Sequence, residues 1–263
     1  MRRKWISLAT SVLLCWIFGV YQVRSQTRPA VASKPATKPA KPIPPAGPER
    51  VLHFHSEIAV HDDFSLTVTE SIRIVVLGRI IRRGIFRDFP LQYRKKDGTK
   101  AAISFEVAAV LKNGEPEPYH VVDRGQCKRV YMGKKDVFLK PGVYTYTLVY
   151  RIRRRPGNLK NSDELYWNVT GDDWAFEMEQ VSARVKLPEG IPADEVRHVA
   201  HTGVKGAGGK DYRSRIDGGE RVCFTATRKL GSDEDLTISV TWSDELATQP
   251  SESTTKPGKE SEK

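Results

Sequence analysis

Few residues of this chain have the type and spacing for chemistry, and each must be weighed against an ordinary structural role. His53 and His55 lie two apart in a strand-like stretch, so their rings face the same side and could hold Zn²⁺ or Cu²⁺ if a third ligand approached. No CxxC, HExxH or carboxylate triad supplies that ligand locally, so two half-exposed strand histidines are the expectation, with a metal-binding module as an alternative. His61-Asp62-Asp63 could orient a base, and Asp172-Asp173 could act as paired acids. Both fall where turns are expected, and Asp is favoured there because its side chain accepts nearby backbone N–H groups. Gly203 to Lys210 is rich in glycine, but Val204 stands where a phosphate loop needs its first Gly, and Asp211 follows Lys210 where Ser or Thr is required. No Gly-x-Ser-x-Gly and no supported Cys/His pair occurs. These patterns predict neither a catalytic residue nor a cofactor, and favour a binding module over an enzyme.

Three cysteines occur. Cys15 falls in an apolar leader, which leaves Cys127 and Cys223. Outside the cytoplasm these two could form a disulfide closing a loop of roughly a hundred residues, stabilising by about 4–5 kcal/mol; two buried thiols in separate strands are the alternative. Arginines cluster at Arg79, Arg82, Arg83 and Arg87, and again at Arg151, Arg153, Arg154 and Arg155. Such groups can fork-bind phosphate or carboxylate, but more often they form a solvated face or protect an edge strand.

The elements that would position these residues are strands. Leu66, Val68, Ile72, Ile74 and Val76 alternate with polar neighbours, and Val51 to Val60 is the natural partner through the His61-Asp62-Asp63 turn. Ile103, Phe105, Val107, Ala109 and Leu111 repeat the period of two up to Asn113-Gly114, a hairpin signal, with Tyr119 to Val122 as the return strand. Tyr144, Tyr146, Leu148, Tyr150 and Ile152 line another face. Further strands are expected at Val181 to Leu187, Val196 to His201, Val222 to Thr227 and Leu236 to Trp242. The nearest approach to a helix is a short turn at Asp172 to Phe176. The fold class is therefore all-β, a β-sandwich of immunoglobulin-like or extended two-sheet form, with a seam expected near Pro188 to Pro192.

The ends differ from this body. Arg2, Arg3 and Lys4 precede an uncharged apolar run from Ile6 to Val20, so residues 1–25 read as a signal peptide cleaved before Gln26, or else as an uncleaved anchor. Either places the rest in the periplasm or outside the cell. Residues 26–48 form a Pro/Lys/Ala linker that could reach roughly 70 Å at about 3.1 Å per residue, and residues 246–263 a polar, disordered tail. Of the net charge of +11, eight positive charges lie in residues 1–48 and the tail is balanced, leaving +3 for residues 49–245. Bulk charge of that size does not predict a nucleic-acid partner. The linker is better suited to touch an anionic membrane or a cell-wall component.

Three stretches resemble one family in combination and order. They are Arg83-Gly84-Ile85-Phe86-Arg87-Asp88-Phe89-Pro90, the aromatic strand Tyr144 to Ile152, and the block Glu164-Leu165-Tyr166-Trp167-Asn168-Val169-Thr170-Gly171-Asp172-Asp173-Trp174 followed by Val181 to Pro188. The chain is similar over about Val51 to Trp242 to the domain of unknown function 2207 family, the predicted bacterial membrane proteins of the YciQ type. The resemblance implies an extracytoplasmic β domain and no established activity. It also implies a following membrane helix, where this chain instead runs from Ser243-Asp244-Glu245 into its polar tail. The signature around Arg87 and Asp88 is expected either to plug one end of the sandwich or to form a partner rim. Trp167 is expected in the core. Trp174 and Tyr166 are left between core and a stacking surface for a sugar or an envelope protein.

Overall fold

The computed structural model describes residues 46–94, 100–154, 163–172 and 174–242. The expected leader, nearly all of the linker, Arg155, Asp173 and the tail lie outside the described residues. In chain order the strands are β1 (Arg50–Val60), β2 (Leu66–Val76), β3 (Ile85–Pro90), β4 (Gln92–Arg94), β5 (Lys100–Lys112), β6 (Glu115–Pro116), β7 (Tyr119–Asp123) and β8 (Cys127–Met132). They continue with β9 (Gly142–Arg154), β10 (Asp163–Asn168), β11 (Val181–Lys186), β12 (Arg197–Val204), β13 (Tyr212–Asp217), β14 (Arg221–Ala226) and β15 (Glu234–Trp242). Among the described residues the only helix is a 3₁₀ turn, Ala193–Glu195, and the Asp172 region is not helical.

Nine strands form one large sheet in the order β13-β14-β11-β1-β2-β9-β5-β4, with β6 added to β5. Its centre follows from alternation. β1 and β2 pair antiparallel around the His61-Asp62-Asp63 turn, where the Asp63 carboxylate accepts the Ser65 N–H at 3.0 Å. β2 pairs β9 without a slip from Leu66–Ile152 to Val76–Gly142. β1 and β11 run parallel, so the chain crosses between two neighbouring strands that are distant in sequence.

The smaller sheets, β10-β15-β12 and β3-β8-β7, cover the apolar side of the large one. Phe89 of β3 stacks on Phe105 at 4.4 Å and lies 4.6 Å from Tyr150, which joins one small sheet to β5 and β9. His198 of β12 meets Phe224 of β14 edge-on at 6.0 Å and hydrogen-bonds Ser214 of β13 at 3.1 Å, which joins the other. The core runs continuously through all three sheets, and all described residues fall within one compact unit, Lys41–Lys263. At Pro188 to Pro192 the chain leaves the large sheet, since β11 belongs to it and β12 does not.

Three local expectations are corrected. The period-two face of β5 does not persist: a β-bulge between Val107 and Ala109 shifts the register, so Val110 is buried while Ala109 and Leu111 are half-buried. The Asn113-Gly114 turn forms, with φ of 53° and 87°, but its return strand is the two-residue β6. Tyr119–Asp123 pairs instead with β8. Finally, Cys127 on β8 and Cys223 on β14 are half-buried free thiols, the alternative of two thiols in separate strands rather than a disulfide.

Candidate functional site

The signature residues meet in the core. Arg87 occupies an inward position of β3, where the burial pattern alternates, and is only 4% exposed. Its Nε donates to Glu70 Oε2 at 2.7 Å and its Nη2 to Glu70 Oε1 at 2.9 Å. Tyr150 donates its hydroxyl to the same Glu70 Oε1 at 2.9 Å. Arg87 Nη1 donates to the Thr170 carbonyl, which also accepts the Trp174 indole N–H at 2.7 Å. Phe54, Phe89 and Trp174 surround the guanidinium at 5.3–5.8 Å. Gly171, at φ +74°, lies against Arg87; a Cβ there would collide with the guanidinium. β2, β3, β9 and the turn after β10 are thereby tied at one point.

Burial opposes the charge on Arg87, but Glu70 and its hydrogen bonds outweigh that and hold its pKa above the ordinary value. Burial, reinforced by Glu70, pushes the Tyr150 phenol well above its usual range. Each nitrogen of the Arg87 guanidinium and each oxygen of the Glu70 carboxylate has a partner inside the cluster. The expectation that Arg87 forms a partner rim is therefore corrected, because β3 alternates and turns this residue inward. Trp174, 8% exposed and edge-on to Phe54 at 6.0 Å, cannot serve as a stacking platform either. Glu70 escaped the sequence reading. Its signal was a single charge at an inward position of the β2 apolar stripe.

Asp88 faces the other way on β3 and is gripped by Arg129 of β8, with Arg129 Nε donating to Oδ1 at 2.7 Å. Arg129 also lies over Phe86 at 3.8 Å. Phe86, Tyr131 and His120 are paired in register across β3, β8 and β7 and form an aromatic row, with Tyr131 and His120 stacked at 4.7 Å. Beyond it, β7 is the open edge of its sheet, and all five of its residues are exposed. Tyr119, Val121 and Val122 stand 38–42% exposed.

A second surface lies on the β10-β15-β12 sheet. Tyr166 is 62% exposed beside a cleft of about 410 Å³ that also takes in Asp172, Lys205 and Asp235. The Asn168 amide donates to Asp172 at 2.7 Å and to Asp235 at 3.2 Å, and Lys205 pairs with Asp172 at 3.4 Å. Burial raises the Asp235 pKa, and the Asp172 charge adds to it. The described acid beside Asp172 is therefore Asp235, brought from a distant strand by the β10–β15 pairing; Asp173 lies outside the described residues.

His53 and His55 do share a face, their rings parallel at 5.9 Å. His55 is engaged at both nitrogens, with Ser182 Oγ at 2.7 Å and Glu57 Oε1 at 2.9 Å. Among the described residues no group of three potential metal ligands forms.

The family model described as "predicted membrane protein (DUF2207) N-terminal domain" matches residues 50–242. The chain belongs to this family. YciQ of Escherichia coli K12, itself uncharacterized, is 31% identical over 134 residues, covering 51% of this chain and 21% of YciQ. The chain thus spans about a fifth of that relative. Among solved structures, native leukotriene A4 hydrolase of Saccharomyces cerevisiae aligns at TM-score 0.44 and 10% identity, over 80% of this chain and 32% of that one. An M1 zinc metallopeptidase of Deinococcus radiodurans aligns at 0.38 and 13%, over 73% and 42%. Likeness at that level says nothing about activity. For this DUF2207 domain, the signature stretches that carried the resemblance supply Arg87, Tyr150, Thr170, Gly171 and Trp174 to one buried cluster. Among the described residues no helix is long and apolar enough to cross a membrane.

Proposed function

We propose that residues 49–245 form an extracytoplasmic, non-catalytic binding domain that holds a protein of the cell envelope along the open edge of the β3-β8-β7 sheet. The observation that carries this reading is β7: an unpaired edge with every residue exposed and Tyr119, Val121 and Val122 presented to solvent. Such an edge offers main-chain donors and acceptors to an added strand, and apolar side chains to its partner. The leader pattern and the family's description as membrane proteins support an envelope location. A photo-crosslinking residue at Tyr119 is expected to capture one defined envelope protein in cells, and Val121→Pro in the same chain to abolish capture, since proline removes an edge donor. A reporter fused at the C-terminus that stays active only in the cytoplasm would sink the location.

Exposed Tyr166 beside a polar cleft favours a second reading, a carbohydrate-binding surface, with Trp174 excluded from it by burial. Peptidoglycan or glycan binding lost in Tyr166→Ala, with capture at Tyr119 unchanged, would favour this reading.

A further inference from the structure

The side of the large sheet opposite the core is a broad solvent face whose composition the net charge of the domain conceals. Strand register fixes its members. Thr225, Ser182, His55, Ser71 and Thr147 form one row across β14, β11, β1, β2 and β9. The neighbouring rows carry cations: Arg73, Arg151, Arg153, Lys186, Arg213 and Arg221 are all exposed, and none forms an ion pair with a described residue. Arg184 and Arg215 share the face but are paired with Glu57 at 2.8 Å and Asp217 at 3.8 Å. Glu106 lies opposite Arg151 on β5. Positive charge therefore predominates, carried by five of the six strands from β13 to β9, about 24 Å across at the usual strand spacing.

The chemistry between these cations narrows the partner. Short hydroxyl side chains (Thr67, Thr69, Ser71, Thr145, Thr147) fill the centre, and among the described residues no Trp, Tyr or Phe points out from β1, β2, β9 or β11. The only rings among the described residues of these four strands that point out are the imidazoles of His53 and His55, which stack on each other, so bases of a single strand have little to stack on. Apolar members of the face, such as Leu111 and Val149, are half-buried among polar neighbours, so it offers little to hydrocarbon. A broad array of separated cations instead matches a surface of separated phosphates, which it must approach within a Debye length of about 8 Å. We propose that this face docks on an anionic phospholipid surface. The contact uses a different side of the molecule from β7, so a membrane-docked domain leaves its edge strand free for a protein partner.

The test is co-sedimentation of the full chain with vesicles containing phosphatidylglycerol, against vesicles of phosphatidylcholine alone. Binding to the anionic vesicles is expected to weaken as salt rises. At about fivefold per residue, Arg151→Gln/Lys186→Gln/Arg213→Gln should lose on the order of a hundredfold. Arg151→Lys/Arg213→Lys should retain binding, which separates charge from folding. Lys134→Gln/Lys135→Gln/Lys140→Gln, off the face, should change binding less than about threefold. Unchanged binding in the face variant would assign the contact to the basic residues 26–48 and overturn the proposal. So would equal binding to both vesicle types, or complete displacement by polyphosphate or DNA at equal phosphate concentration. Val121→Pro is expected to leave vesicle binding intact, so failure here and failure of the edge-strand reading are separately visible.

Discussion

Glu70 and Arg87 illustrate how one buried pair ties a signature to a fold. Removing one partner leaves the other charged and desolvated, so Arg87→Ala or Glu70→Ala should cost about 3–5 kcal/mol in urea unfolding. The apolar double replacement Glu70→Leu/Arg87→Met should cost far less than the sum, because it leaves no orphan charge. Other titratable residues give a different signal, in pH. The Glu49 carboxylate is opposed by burial, but four backbone N–H groups from Ile80, Leu77, Ile81 and Arg79 outweigh that and depress its pKa below the ordinary 4.5. Glu234 is likewise depressed, by Arg228 and the Gly231 N–H. A depressed carboxylate binds fewer protons folded than unfolded, so its contribution is full above about 4.5 and is lost as pH falls through the folded value. His53 and His198 are held below the ordinary 6.5, chiefly by burial, so they favour the folded state above that pH and oppose it below. Thermal melts across pH should therefore show stability declining below about 6.5 and again below about 4.5. Glu49→Gln should flatten the second step.

Among elements, β5 shows how one inserted residue overrides a pattern. Up to Val107 the period of two holds; beyond the bulge Val110 takes the inward place. Val110→Ala should cost about 2 kcal/mol, and Leu111→Ala under about 1 kcal/mol, by urea titration. Equal costs would mean that the unbroken alternation describes the strand better. The pairing of β7 with β8 rather than with β5 has a related cause. Asn113-Gly114 sets a tight turn, but Pro116 and Pro118 follow at once, and proline cannot extend a ladder that needs its N–H, so the hairpin stops after two residues.

At the scale of the whole molecule, three sheets share one core without a covalent crosslink. Alkylation of protein unfolded without reductant should modify both Cys127 and Cys223, and reductant should leave the melting temperature unchanged; a bridge would have made reduction cost about 4–5 kcal/mol. Family membership settles what the chain resembles, while its partner rests on surfaces that the signature does not include. Alternation of apolar and polar residues was enough to place β1, β2, β9, β11, β14 and β15, because a half-buried strand writes its faces locally. The turn residues His61 to Asp63 and Asn113-Gly114 were legible for the same reason. What only the tertiary structure decided were relations between distant strands: that Arg87 turns inward to Glu70, that Asp172 meets Asp235, that Cys127 and Cys223 lie in different sheets, and that Arg73, Arg151, Arg153, Lys186, Arg213 and Arg221 share the outer side of the large sheet. A strand records which of its residues are alike, but its neighbours are chosen by the packing of the whole chain, and a nearly balanced net charge hides any segregation between two faces.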